Sequence, residues 1–172
     1  MSLKSILLGA AVATLAGPAA ADDVRPVRSG ALGELYFRFD SAALMAEAPG
    51  VLDKVVAFAS ENPDTRIVLD GHCDPIGASD YNVKLAIRRA DSVRDQLKQM
   101  GLPEDRIVFA IYGEDGARRA SYAKDRRVTI WSTREPLAAV IDHTFAGKGE
   151  AVTWQQPLTV AEIEGRSDVA SR

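Results

Sequence analysis

A carboxylate, an amide and a guanidinium occur close together in the stretch LDGHCDPIGASDYNVKLAIRRA, residues 69–90: Asp74, Asn82 and Arg89. Asp74 falls in a loop, residues 72–79, punctuated by Pro75 and Gly77. Asn82, Leu85 and Arg89 are spaced i, i+3 and i+7, one stripe of a helix that advances about 100° per residue. The loop must pass over the start of that helix, so the three polar groups can converge there. Together they suit a small ligand carrying both signs of charge. A guanidinium grips a carboxylate with two parallel bonds, and a carboxylate accepts from an ammonium. The competing reading is a loop–helix ion pair that only holds the fold, worth about 0–1 kcal/mol at a surface.

Other chemistry fits less well. His72 and Cys73 suggest a nucleophile pair, or a metal site with Asp70 and Asp74. Adjacent strand residues point to opposite faces, and the second histidine, His143, is far along the chain. No catalytic residue, metal or cofactor is expected, and His72 is expected to hold the loop by hydrogen bonds. The stretch from Gly113 to Gly116 lacks the spacing of a phosphate loop. Cys73 is the only cysteine, which excludes an internal disulfide, and it is expected to fill a small packed position.

The elements that must position these groups follow from periodicity. Residues 65–71 alternate as a strand, with Ile67 and Leu69 on one face and Arg66, Val68 and Asp70 on the other. A helix starts near Asp80, capped by Ser79 or Asp80, and stops at Gly101 before Pro103. Its apolar stripe is Val83, Ala86, Ile87, Ala90, Val93 and Leu97, while Arg88 points to water. Upstream, residues 34–39 form a strand with Leu35, Phe37 and Phe39 inward, and residues 45–60 a helix with Pro49 in its first turn. Downstream strands cover residues 106–112 and 126–132, joined by a polar connection. Arg126 and Arg127 alternate faces, so Arg126 can reach the site while Arg127 is solvated. The order β-α-β-α-β-β predicts an α+β two-layer sandwich, a four-stranded mixed sheet with two main helices on one face.

The 172 residues suit one domain with tails. A net charge of −3 points to neither nucleic acid nor an anionic membrane surface. Residues 1–21 read as a secretory signal: Lys4, an apolar run over 6–16, and Ala19-Ala20-Ala21 before Asp22. An uncleaved anchor is the alternative, but the run is short of the ~20 residues that span a bilayer. No cysteine lies near Asp22, which argues against a lipid-modified start, and nothing later is apolar enough to cross a membrane. The expected division is signal 1–21, linker 22–33, domain 34–133 and an extension 134–172 of unreadable structure. Within the extension, residues 152–154 and 158–160 are candidate short strands, and 167–172 reads as disordered.

Several motifs occur in one order: Tyr36-Phe37-Arg38-Phe39-Asp40; GHCD with Gly77; Tyr81-Asn82, Leu85 and Arg88-Arg89-Ala90; Tyr112-Gly113-Glu114; and Lys124-Asp125-Arg126-Arg127-Val128. Over about residues 34–131 the chain resembles the C-terminal domain of the OmpA-like proteins, which include the peptidoglycan-associated lipoproteins and the flagellar motor stators. The resemblance implies the fold above. It also implies non-covalent, non-enzymatic binding of peptidoglycan in the periplasm, at the cell wall or outer membrane. Asp74 and Arg89 match the family residues that hold diaminopimelate of the stem peptide. By the same resemblance Asn82 orients the ligand, Leu85 lines the floor, and Asp40 and Arg126 close the rim; helix capping by Asn82 and Asp40 and plain packing of Leu85 are the competing readings. Two departures stand out: Ala42-Ala43 replace a commonly polar run, and Asp125 replaces an asparagine. The implication predicts that alanine at Asp74 or Arg89 abolishes wall binding and leaves the fold intact. Two other functions compete: an adaptor docking envelope proteins through the extension around Trp154, and a wall-modifying enzyme using Cys73.

Overall fold

The computed structural model describes residues 30–115, 117 and 121–154. The signal, most of the linker and the candidate strand at 158–160 lie outside the described residues. In chain order the elements are β1 (Ala31–Tyr36), α1 (Ala48–Glu61), β2 (Arg66–His72), α2 (Ser79–Gln99), β3 (Ile107–Gly113), α3 (Tyr122–Asp125), β4 (Arg127–Thr133), α4 (Leu137–Ala146) and β5 (Ala151–Trp154). The sheet order is β1-β4-β2-β3-β5. β2 and β3 run parallel, which requires a long crossover, and α2 supplies it. The other neighbouring pairs are antiparallel. The first four strands are the mixed sheet expected from the sequence; β5, from the extension, adds a fifth beside β3.

Helices α1 and α2 cover one face. Leu52 and Val55 of α1 and Ala86, Ala90, Val93 and Leu97 of α2 are buried with Ile67, Leu69, Phe109, Val128 and Ile130 of the sheet. The alternation in β2 holds: Val68 faces the other way, packing with Val108, Ala110 and Tyr112 of β3 and Val140 of α4. The extension therefore covers part of the sheet's second face.

Several boundaries depart from the periodic reading. β1 begins at Ala31 and ends at Tyr36 rather than covering 34–39. Beyond it the chain turns, with Asp40 in the left-handed region at φ 50°, so alternation lapses and Phe39 is 60% exposed instead of in the core. α1 begins at Ala48, later than residue 45, with Pro49 in its first turn as expected. Neither Ser79 nor Asp80 caps α2; the N-cap is Ala78, with no side-chain bond, and its carbonyl accepts from the Asn82 N–H at 3.0 Å. Arg127 is buried, not solvated. It lies 3.8 Å from the Glu34 carboxylate and 3.7 Å from that of Asp125, so charge on both sides offsets its desolvation. Asp125, one of the departures from the family pattern, thus has a cation of its own.

Gly71 sets how closely α2 lies on β2. A Cβ there would sit 2.8 Å from the Ala86 carbonyl oxygen and 3.0 Å from Ile111 Cδ1. The first of these is backbone and cannot rotate away. Gly71→Ala is therefore expected to destabilise the domain by about 1–3 kcal/mol, read as a lowered denaturation midpoint. An unchanged midpoint would mean the helix can shift without loss.

Candidate functional site

A small open notch lies where the β1–α1 turn, the β2–α2 loop, the start of α2 and the entry to β4 meet. Its lining includes all six residues singled out from the sequence: Asp40, Asp74, Asn82, Leu85, Arg89 and Arg126. It also includes Phe39, Cys73, Ile76 and Tyr81.

Arg89 forms the floor and is completely buried. Its Nε donates to the Ser41 carbonyl at 3.0 Å, and Nη1 donates to the His72 carbonyl at 2.9 Å and to Cys73 Sγ at 3.2 Å. Nη2 donates to the Arg38 carbonyl at 3.4 Å, and the guanidinium lies 5.4 Å from the Phe37 ring centre. A guanidinium has five N–H donors; four point to the two loops that bound the notch. Burial pulls the Arg89 pKa below its usual value, while Cys73 and Asp74 act the other way. This corrects the expectation that Arg89 can be truncated with the fold intact: it holds two loops together as well as charging the floor.

Asp74 takes its closest basic partner from the residue that leads into β4, not from α2. Its Oδ2 accepts from Arg126 Nη1 at 3.0 Å, and its Oδ1 accepts from the Ile76 N–H at 3.2 Å, which fixes the turn of the loop. Arg126 also donates through Nε to the Phe37 carbonyl at 3.2 Å, and the Arg126 carbonyl accepts from the Phe37 N–H at 2.8 Å. Arg126 thereby joins the end of β1 to the loop. Asp74 is nearly buried, while the Arg126 side chain is 17% exposed and so reaches the notch from the wall.

Asp40 accepts a hydrogen bond from the Tyr81 hydroxyl and, with α1 starting at Ala48, does not cap that helix. That bond, chiefly, holds the Tyr81 phenol above its usual pKa. Arg88, expected in water, is exposed but lies 5.5 Å over the Tyr81 ring at the rim. Asn82 is buried; its Nδ2 donates to Glu114 Oε2 at 2.7 Å. Leu85 both lines the notch and belongs to the main core.

Cys73 is buried with its thiol pushed up to about 11, mainly by desolvation. At neutral pH it is protonated, donating to the Asn82 carbonyl at 3.0 Å. His72 faces away from it and stacks on Tyr112, ring centres 5.2 Å apart, so the two do not form a nucleophile pair. Among the described residues no group of three or more histidine, cysteine or acidic side chains is arranged to hold a metal. No described helix is long and apolar enough to cross a membrane.

The sequence reading missed Tyr81, Phe39, Ile76 and Glu114. Tyr81 carried a signal: it lies four residues before Leu85, on the same helical stripe. Glu114 stood in a quoted motif, but nothing in its spacing tied it to the site, because it meets Asn82 across 32 positions of chain.

Comparison with known proteins adds a family to this geometry. The profile described as "OmpA family" matches residues 36–129, from the end of β1 to the first part of β4. The chain is 34% identical over 101 residues to the peptidoglycan-associated lipoprotein of Pasteurella multocida, covering 56% of this chain and 67% of that one. It is 33% identical over 107 residues to the peptidoglycan-associated lipoprotein of Rhizobium meliloti, covering 62% of this chain and 58% of that one. Among solved structures, that of the peptidoglycan-associated lipoprotein from Burkholderia pseudomallei matches with a TM-score of 0.54 and 27% identity, covering 58% of this chain and 89% of that one. The chain thus spans roughly three-fifths to two-thirds of the two relatives' length.

Proposed function

Because the chain belongs to the OmpA family, we propose that its notch holds peptidoglycan non-covalently, through the diaminopimelate of the stem peptide. One observation carries the reading: Asp74, Asn82, Arg89 and Arg126 line a single open notch. Diaminopimelate presents carboxylate and ammonium groups on a short chain. Arg89 and Arg126 supply the positive field for a carboxylate, and Asp74 and Asp40 the negative one for an ammonium. Asn82 orients the ligand and Leu85 gives its methylenes an apolar floor. Phe39, Ile76 and Tyr81, exposed at the mouth, meet the residues on either side.

The names of the relatives support an association with peptidoglycan and the cell envelope. The reading of residues 1–21 as an export signal puts this binding in the periplasm. The domain acts as a reversible anchor and not an enzyme, in keeping with a lone described thiol that is buried and protonated.

The test is sedimentation with isolated sacculi. The protein is expected to pellet with walls containing diaminopimelate and to be released by free diaminopimelate. Walls with lysine lack the second carboxylate and so its charge-assisted bonds, and should bind about tenfold or more weakly. Equal binding to both walls, or no release by the competitor, would remove the assignment.

A further inference from the structure

The side-chain amide of Asn82 has two ends that differ in chemistry: its NH2 can only donate, its oxygen only accept. Which end meets a ligand depends on what holds the other. Here Nδ2 donates to Glu114 Oε2 at 2.7 Å, and a carboxylate accepts hydrogen bonds without donating any. Glu114 stands in the turn after β3 and is not part of the notch lining, whereas Asn82 is. The amide oxygen is thus left on the side of the loop over the notch, where a Cβ on Gly77 would be 3.9 Å from it. The Asn82 backbone is pinned as well, its N–H by Ala78 and its carbonyl by the Cys73 thiol. With the backbone held and Nδ2 engaged, a flip of the amide would set its oxygen against a carboxylate oxygen.

We infer that Glu114 is a positioning residue that locks the Asn82 amide with its oxygen toward the notch, making this wall selective for a ligand N–H. The inference rests on the proposed function and deepens it. Asp74 Oδ1 and Oδ2 each accept one bond from the protein and keep a second lone pair, so Asp74 can meet one ligand ammonium, and Asn82 Oδ1 is the acceptor on this wall for the other, the one that distinguishes a ligand bearing a second amine from one lacking it.

The test is competition for sacculus binding by diaminopimelate and by 2-aminopimelate, which lacks one amine. The wild type should prefer diaminopimelate by about tenfold, one hydrogen bond to a charged donor. Glu114→Gln can still accept through its amide oxygen and should keep the preference. Glu114→Ala frees the amide and should narrow the preference to within about threefold. A full preference in Glu114→Ala overturns the inference and leaves wall binding standing. Failure of the wild type to respond to either competitor overturns the wall-binding reading itself, and the inference with it. If Glu114→Ala fails to fold, the wild type still decides: slow solvent exchange of the Asn82 side-chain amide protons by NMR supports the lock, and fast exchange overturns it.

Discussion

Arg89→Ala is expected to lower the stability of the domain by about 3–5 kcal/mol and to abolish sacculus binding. The stability loss follows from what the guanidinium holds. Its removal leaves the carbonyls of Arg38, Ser41 and His72 without their donor, and Cys73 Sγ without its cation. A buried acceptor left unpaired costs about 1–3 kcal/mol, partly relieved where water can enter from the notch. The vacated volume adds a cavity term. For a domain near a hundred residues the melting temperature should fall by roughly 12–30 °C. Arg89→Lys should recover less than half of this. An ammonium is a single point on a flexible stem and cannot reach acceptors in both loops at once. Thermal unfolding by circular dichroism decides it, with sedimentation done well below the mutant's midpoint. A midpoint within about 3 °C of wild type would show that the network contributes little and that Arg89 serves the ligand alone.

The same residue shows how far the sequence could be read. The i, i+3, i+7 spacing of Asn82, Leu85 and Arg89 brought the three to one side of a helix, because helical geometry is local and regular. It could not show that Arg89 points inward to backbone carbonyls, since two of those carbonyls come from 48 and 51 residues away, at Ser41 and Arg38, and the third from His72, 17 residues away. Asp74 and Arg126 meet across 52 positions, a pairing set by sheet order and invisible to spacing. Phe39 was misread for the opposite reason. Alternation holds only while the chain stays extended, and the left-handed Asp40 ends it. A usable signal was passed over in β3. The run IVFAIYG is apolar throughout and buried at every position, the mark of a strand covered on both faces. That required something on the second face, and Leu137, Val140 and Ile141 in the extension, spaced for one helical stripe, were there to supply it.

Asp74→Asn is expected to weaken sacculus binding about 30- to 100-fold while leaving the fold in place. The substitution keeps size and shape. An amide oxygen can still accept from the Ile76 N–H or from Arg126, so the loop loses at most one of the two bonds that hold it. What it loses is charge, in a nearly buried position that also influences Arg89. The notch then has a surplus of positive charge and no carboxylate near its floor for an ammonium, and losing one partner of such a desolvated pair costs about 2–3 kcal/mol in binding. Two routes lead to that loss, and a double-mutant cycle separates them. If Asp74 acts only by holding Arg126, Asp74→Asn combined with Arg126→Gln should bind no worse than either single change. If it meets the ligand's ammonium itself, the two losses should add to within about 0.5 kcal/mol. We expect additivity, since Arg126 keeps a second anchor at the Phe37 carbonyl and does not depend on Asp74 for its position. Binding of Asp74→Asn within threefold of wild type would reduce the residue to a loop staple and leave the ammonium to Asp40 and Asn82.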